Sequence, residues 1–118
     1  MAYVLVRLAF GIPDVDLNGI STALVSEEDR EGEWWLDLEE GEPWHFVQYG
    51  REYSHMNTGL VITDSTISEE EYEAVRLPAG ISNQRQRWRE FLAKGCRKLG
   101  IPFVESECVW FASALLSE

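Results

Sequence analysis

The chain has 118 residues, 45% of them hydrophobic, and 21 acidic side chains against ten basic ones give a net charge of −11. That length fits one hydrophobic core, so a single domain over residues 1–118 is expected, stable without disulfide or metal staples. An acidic field of this size repels nucleic acid and anionic membranes and attracts basic partners, at rates that fall with added salt. Direct DNA binding by the whole domain is therefore disfavoured.

The N-terminal stretch "AYVLVRLAF" is rich in β-formers. Val4, Val6, Leu8 and Phe10 would share one face of a strand, with Tyr3, Leu5, Arg7 and Ala9 on the other. No basic region precedes it and Arg7 interrupts it, so it reads as a central strand rather than a signal peptide, and a cytoplasmic location is expected. "GIPDVDLNGISTALVSEED" is broken by Pro13, Asn18 and Gly19, and its "GISTALVS" portion reads as a short helix with a strand as the alternative.

Residues 33–50 present two apolar-rich runs, "EWWLDL" and "WHFVQYG", on either side of Gly41. Read as a hairpin, they put Trp34, Leu36, Leu38, Trp44, Phe46 and Gln48 on a core face. Glu33, Trp35, Asp37, His45, Val47 and Tyr49 fall on the other face. That second face is too polar for a dry interior and too aromatic for an ordinary solvent face. Residues 27–42 carry nine acidic side chains against Arg30.

After a loop "REYSHMNT", the run "GLVITD" reads as a strand. A helix is expected to start at Ser68, with Glu71 completing a capping box and Ile67 and Tyr72 as a hydrophobic staple, and to end near Arg76 before Pro78. A second helix follows in "SNQRQRWREFLAKGCRKLGIP", with Trp88, Phe91, Leu92, Cys96 and Leu99 on one side and Gly100 and Pro102 as its stop. Its other side is basic: Arg87, Lys94 and Lys98 share one flank, while Arg85 and Arg89 share the opposite one. "FVESECVWFASAL" reads as a last strand, apolar on both faces in its later half and so interior to the sheet. The run "VWFASALL" is far shorter than the roughly twenty residues of a membrane span.

The fold class expected is α+β: a mainly antiparallel sheet of about five strands with two or three helices packed on one face, the first and last strands being central and a parallel pair of neighbours. Charge is polarised along the chain. Residues 1–75 hold seventeen acidic and three basic side chains, a balance of −14, whereas residues 76–104 hold seven basic ones against Glu90, a balance of +6.

Catalytic signatures are missing: nothing resembles G-x-S-x-G, a phosphate-binding loop or a dinucleotide fingerprint. An Asp37 and His45 cross-strand pair could orient an imidazole, and His55 could join it with Asp64, but no nucleophile or recognised ligand spacing accompanies them. No cofactor and no metal site is expected. Cys96 and Cys108 are read as buried free thiols, Cys108 being kept a poor nucleophile by Glu105 and Glu107, although a disulfide between the two would suit their inward faces.

Aromatic anchors inside a charged rim have the composition of a protein-binding surface. The expected function is a non-enzymatic acidic module that blocks or neutralises a basic partner, of immunity-protein, antitoxin or phage-inhibitor type; the partner would be a basic or nucleic-acid-binding protein. Trp35, Asp37, Glu39, Glu40, Glu42, Tyr49, Glu27, Glu28 and Asp29 would form the contact. The alternative is a small enzyme or ligand-binding domain holding an anionic small molecule with Arg85, Arg87, Arg89, Lys94 and Lys98 together with His45. Those cations could equally neutralise the domain's own acidic segments, and Trp35 with Tyr49 could instead bury themselves in a homodimer.

Overall fold

The run of β-formers at the N-terminus builds the longest strand. The computed structural model describes residues 3–51, 56–68 and 81–117. In chain order these form β1 (Tyr3–Ile12), α1 (Leu17–Leu24), α2 (Trp35–Glu39), β2 (Trp44–Arg51), β3 (Met56–Ile62), β4 (Ile67–Ser68), α3 (Ile81–Leu99) and β5 (Val109–Ser117). Single 3-10 turns lie at Glu27–Asp29, Thr63–Ser65 and Glu105–Glu107. The class is α+β as expected, with four long strands rather than five and a two-residue β4 against β1 at Leu8↔Ile67. The capped helix expected from Ser68 to Arg76 lies outside the described residues.

The strand order is β3-β2-β5-β1-β4, with a further pairing of β3 to β1. β1 and β5 are both interior and neighbours, but they run antiparallel, from Tyr3↔Ser117 to Gly11↔Val109, which corrects the parallel pair expected. The parallel contact is between β2 and β5, at Gly50↔Leu115 and Arg51↔Leu116. With β1 also bonded to β3 at Gly11↔Val61 and Ile12↔Leu60, the four long strands curl into a ring. Gly11 permits this closure: a Cβ there would lie 2.1 Å from the Leu60 carbonyl oxygen. Ser65 fastens the turn after β3, its hydroxyl accepting from Phe10 N at 2.8 Å and donating to the Ile62 carbonyl at 2.7 Å.

The hairpin expected across Gly41 does not form. Trp34, Trp35 and Leu38 recur at helical spacing and turn together against the core, while Leu36 and Asp37 face solvent, so the run becomes the single turn-and-a-half of α2. Gly41, with φ of 75°, is the left-handed residue that ends a helix, and Pro43 follows it. β2 pairs instead with β3, from Trp44↔Ile62 to Gly50↔Met56. Two further expectations change: Gln48 is exposed, and residues 105–107 form a 3-10 turn, so the last strand begins only at Val109.

One face of the curled sheet carries the core. Phe10, Ile12, Trp44, Phe46, Leu60 and Ile62 meet Ile20 of α1 and Trp88, Leu92, Cys96 and Leu99 of α3, with Trp34, Trp35 and Leu38 at the margin. The helices thus cover one face. Phe10, Trp88 and Trp110 lie 5.7 to 5.8 Å apart, ring to ring, in tilted and edge-on arrangements that aromatic quadrupoles favour. No described helix is long and apolar enough to cross a membrane.

Candidate protein-binding groove

Local chemistry in residues 16–42 builds a groove. Asp16 caps α1, its carboxylate accepting from Gly19 N at 3.0 Å, and the helix stops where Val25 turns extended. A helix end leaves carbonyls without partners. Arg30 supplies donors there: its Nε bonds the Val25 carbonyl at 3.0 Å and its Nη2 the Thr22 carbonyl at 3.3 Å. The one cation of this acidic stretch is thereby spent on backbone. Ser26 donates to Asp29 at 2.7 Å and sets the 3-10 turn, from which the chain doubles back into α2.

α2 is short and is held from outside. Lys98 of α3 reaches its end, donating to the Leu38 carbonyl at 2.8 Å and to Glu42 at 2.9 Å, with its ammonium 5.8 Å above the Trp44 ring. On the other side Glu39 accepts from Phe46 N at 2.8 Å, tying α2 to the first residues of β2. Trp34 and Trp35 meet edge to face at 5.9 Å and brace the turn against the core.

Between the end of α1, the 3-10 turn and α2 lies a groove of about 810 Å³. Its apolar lining is Leu24, Val25, Trp34 and Leu38. Five carboxylates, from Glu28, Asp29, Glu31, Glu33 and Asp37, surround that lining, and no basic side chain does. All five are exposed, and Leu24 is 44% exposed. In chemical terms the groove offers a hydrophobic seat inside a strongly negative rim.

Of the contact residues expected from sequence, Glu28, Asp29 and Asp37 come together here. Glu27 and Glu40 are exposed but do not line the groove, and Glu39 and Glu42 are engaged by Phe46 N and Lys98. The pairing of Trp35 with Tyr49 is corrected. Trp35 is half-buried on α2, whereas Tyr49 lies on β2, donates to the Pro13 carbonyl at 2.7 Å and sits 6.1 Å from the Phe111 ring. Strand alternation sends Tyr49 and His45 to the face away from Trp44 and Phe46, hence away from the helices. Leu24, Val25, Glu31, Glu33, Trp34 and Leu38 were missed; helical spacing in "EWWLDLEEGEP" was the signal that would have found Trp34 and Leu38.

Asp37 and His45 are not partners: Val61 stands opposite His45 across the strands, and His45 Nδ1 lies 2.9 Å from the Thr63 hydroxyl. Burial holds the His45 pKa below its usual range, with Glu39 acting against the shift and Arg7 adding to it. His55 lies outside the described residues. The basic helix does not converge on a ligand together with His45, because α3 packs on the opposite face of β2. Its cations are partly engaged at home: Lys98 with Glu42, Arg89 at 3.5 Å from Glu105, and Arg87 stacked 5.2 Å from the Phe91 ring. Arg85 and Lys94 are exposed on opposite flanks. Cys96 and Cys108 are both free and buried. Burial first pushes each thiol up to about 11, Glu107 adding for Cys96 and the Cys96 thiol for Cys108.

Comparison of the chain with family models, curated proteins and solved structures found no match.

Proposed function

We propose that the chain is a non-enzymatic binding module whose acidic groove neutralises a basic protein partner, in the manner of an immunity protein, antitoxin or phage-encoded inhibitor. One observation carries this reading: five exposed carboxylates share a groove with an apolar lining that includes Trp34, and no cation lines it. A lysine- or arginine-rich segment bearing one aliphatic or aromatic residue fits both halves of that surface, the cations meeting the rim and the apolar residue seating on Leu24, Trp34 and Leu38. Arg30 does not compete, since its donors hold the carbonyls that end α1.

The test is calorimetric titration with such a basic peptide, repeated in Glu28→Gln/Glu33→Gln/Asp37→Asn. These three side chains are exposed and lie in no described hydrogen bond, so the variant should fold. Binding should weaken more than tenfold between roughly 50 and 300 mM salt, because exposed charges are screened over a few ångströms at the higher strength. It should be lost in the triple variant. Unchanged affinity after neutralisation of the rim refutes the assignment.

A further inference from the structure

We infer that the acidic groove selects arginine over lysine in its partner, seating a guanidinium on the Trp34 ring with one edge turned to the Asp37 carboxylate. This rests on the groove being the binding surface proposed above, and it names the side chain that anchors the partner there.

The backbone of the groove has little left to offer a ligand. The Val25 carbonyl already accepts from Arg30 at 3.0 Å, and the Leu38 carbonyl from Lys98 at 2.8 Å. None of the lining residues belongs to a strand, so a partner cannot add itself to the sheet here. Recognition falls to side chains: an aliphatic set, one indole and five carboxylates.

Trp34 joins the two halves of that set. It is half-buried, packed on the core and lining the groove. Trp35 meets it edge to face at 5.9 Å, which holds the ring in place before any partner arrives. At the start of α2 Trp34 has helical backbone angles, φ −57° and ψ −27°. Asp37 and Leu38 follow it at the i+3 and i+4 spacing that makes helix side chains neighbours, and both line the groove. A carboxylate therefore stands beside an indole whose other neighbour is aliphatic.

Arginine matches that arrangement better than lysine. A guanidinium is planar and weakly hydrated, so it can lie on an aromatic face and still turn its edge donors to a carboxylate. Its methylene stem adds to the apolar contact with Leu24 and Leu38. An ammonium is a compact, strongly hydrated charge that sheds its water only where several acceptors replace it. The chain holds an instance of each. Arg87 lies 5.2 Å from the Phe91 ring and is in no described hydrogen bond or ion pair. Lys98 sits 5.8 Å from the Trp44 ring, but it also bonds Glu42 at 2.9 Å and the Leu38 carbonyl. In the groove the Val25 and Leu38 carbonyls are already bonded, so a lysine drawn onto Trp34 would lack that second kind of acceptor and stays at the rim instead.

Calorimetric titration with two peptides tests the inference: a short serine- and leucine-containing peptide whose cations are all arginine, and the same peptide with lysine at each of those positions. Equal charge makes the screened attraction to the rim the same for both. The arginine peptide should bind about tenfold more tightly, as a partly desolvated cation–π contact joined to a forked hydrogen bond requires. That ratio should persist at roughly 300 mM salt while both affinities fall. Trp34→Leu keeps an apolar lining without the ring and should bring the two peptides within about twofold of each other. Asp37 is exposed and lies in no described hydrogen bond, so Asp37→Asn reports even where the tryptophan variant fails to fold. It should cost the arginine peptide about threefold more than the lysine peptide. Equal binding of both peptides by the parent, weakened when the rim is neutralised, overturns the arginine seat and leaves the acidic groove standing. An arginine preference that survives in folded Trp34→Leu also overturns it, because the seat is then elsewhere. Binding of neither peptide removes the groove reading and this inference with it.

Discussion

Gly95 lies where α3 passes against β2, and replacing it sets two effects of opposite sign against each other. A Cβ there would stand 2.7 Å from Trp44 Nε1, 2.9 Å from its Cε2 and 3.1 Å from its Cδ1. Alanine in a helix interior gains about 1 kcal/mol over glycine. Forcing a methyl group into a filled core costs about 1–3 kcal/mol. Trp44 is 1% exposed and is held edge-on by Phe46 at 5.8 Å, so it cannot swing aside and the upper part of that range applies. Gly95→Ala should then destabilise the protein by about 1–2 kcal/mol, lowering Tm by about 4–8 °C for a domain of this size. Differential scanning calorimetry reads this directly. In a Trp44→Phe background the pyrrole edge is gone and the same substitution should be neutral or stabilising, a coupling of about 1 kcal/mol or more. The shift should also draw Lys98 from the Leu38 carbonyl and weaken binding in the groove, because α2 forms one wall of it. A higher Tm for Gly95→Ala in the parent background, or no coupling to Trp44, refutes the packing argument.

Ser65→Ala leaves Phe10 N without the acceptor it has at 2.8 Å inside the core, and an orphaned buried donor costs about 1–3 kcal/mol; urea unfolding measures it, and a change below half of that would show that water or another carbonyl takes over. His45 should make stability depend on pH in one direction. Burial lowers its pKa from 6.5, so above pH 6.5 both states are neutral and nothing is gained or lost. As the pH falls below 6.5 the unfolded chain takes up the proton first, and stability drops until the folded pKa is passed. Tm measured between pH 7 and roughly pH 5 should therefore fall less steeply in His45→Asn than in the parent, and parallel curves would rule the effect out. Cys96 and Cys108, with thiols pushed up to about 11 by burial, should react with a thiol reagent at pH 8 only as fast as the protein opens, so prompt labelling of either contradicts the core described here.

The elements with a single dominant period were legible in the sequence. β1 and α3 followed from alternation and from the spacing of Trp88, Leu92, Cys96 and Leu99, and the interior place of β5 followed from its two apolar faces. α2 was not, because Trp34, Leu36 and Leu38 satisfy a period of two while Trp34, Trp35 and Leu38 satisfy a helix. Over five or six residues the two patterns cannot be separated by hydrophobicity. Gly41 and Pro43 favoured the helix, since a left-handed glycine followed by proline ends helices more often than it turns a hairpin of charged residues. That single reading moved Trp35 from an anchor to a half-buried brace and put Trp34 in the groove. The parallel contact between β2 and β5 depends on the whole ring closing, a long-range geometry that no local window reports.

The pairing of β1 with β5 bears on how the protein is made. These partners are separated by roughly a hundred residues, the kind of distant contact that slows folding because chain entropy must be lost before the bonds form. A nascent chain emerging from the ribosome carries β1 long before β5 is synthesised, and until then the N-terminal strand has its main hydrogen-bonding side vacant. The sheet is thus completed after translation has passed Ser117, and a permuted gene that joined β5 directly to β1 through a short turn should fold markedly faster.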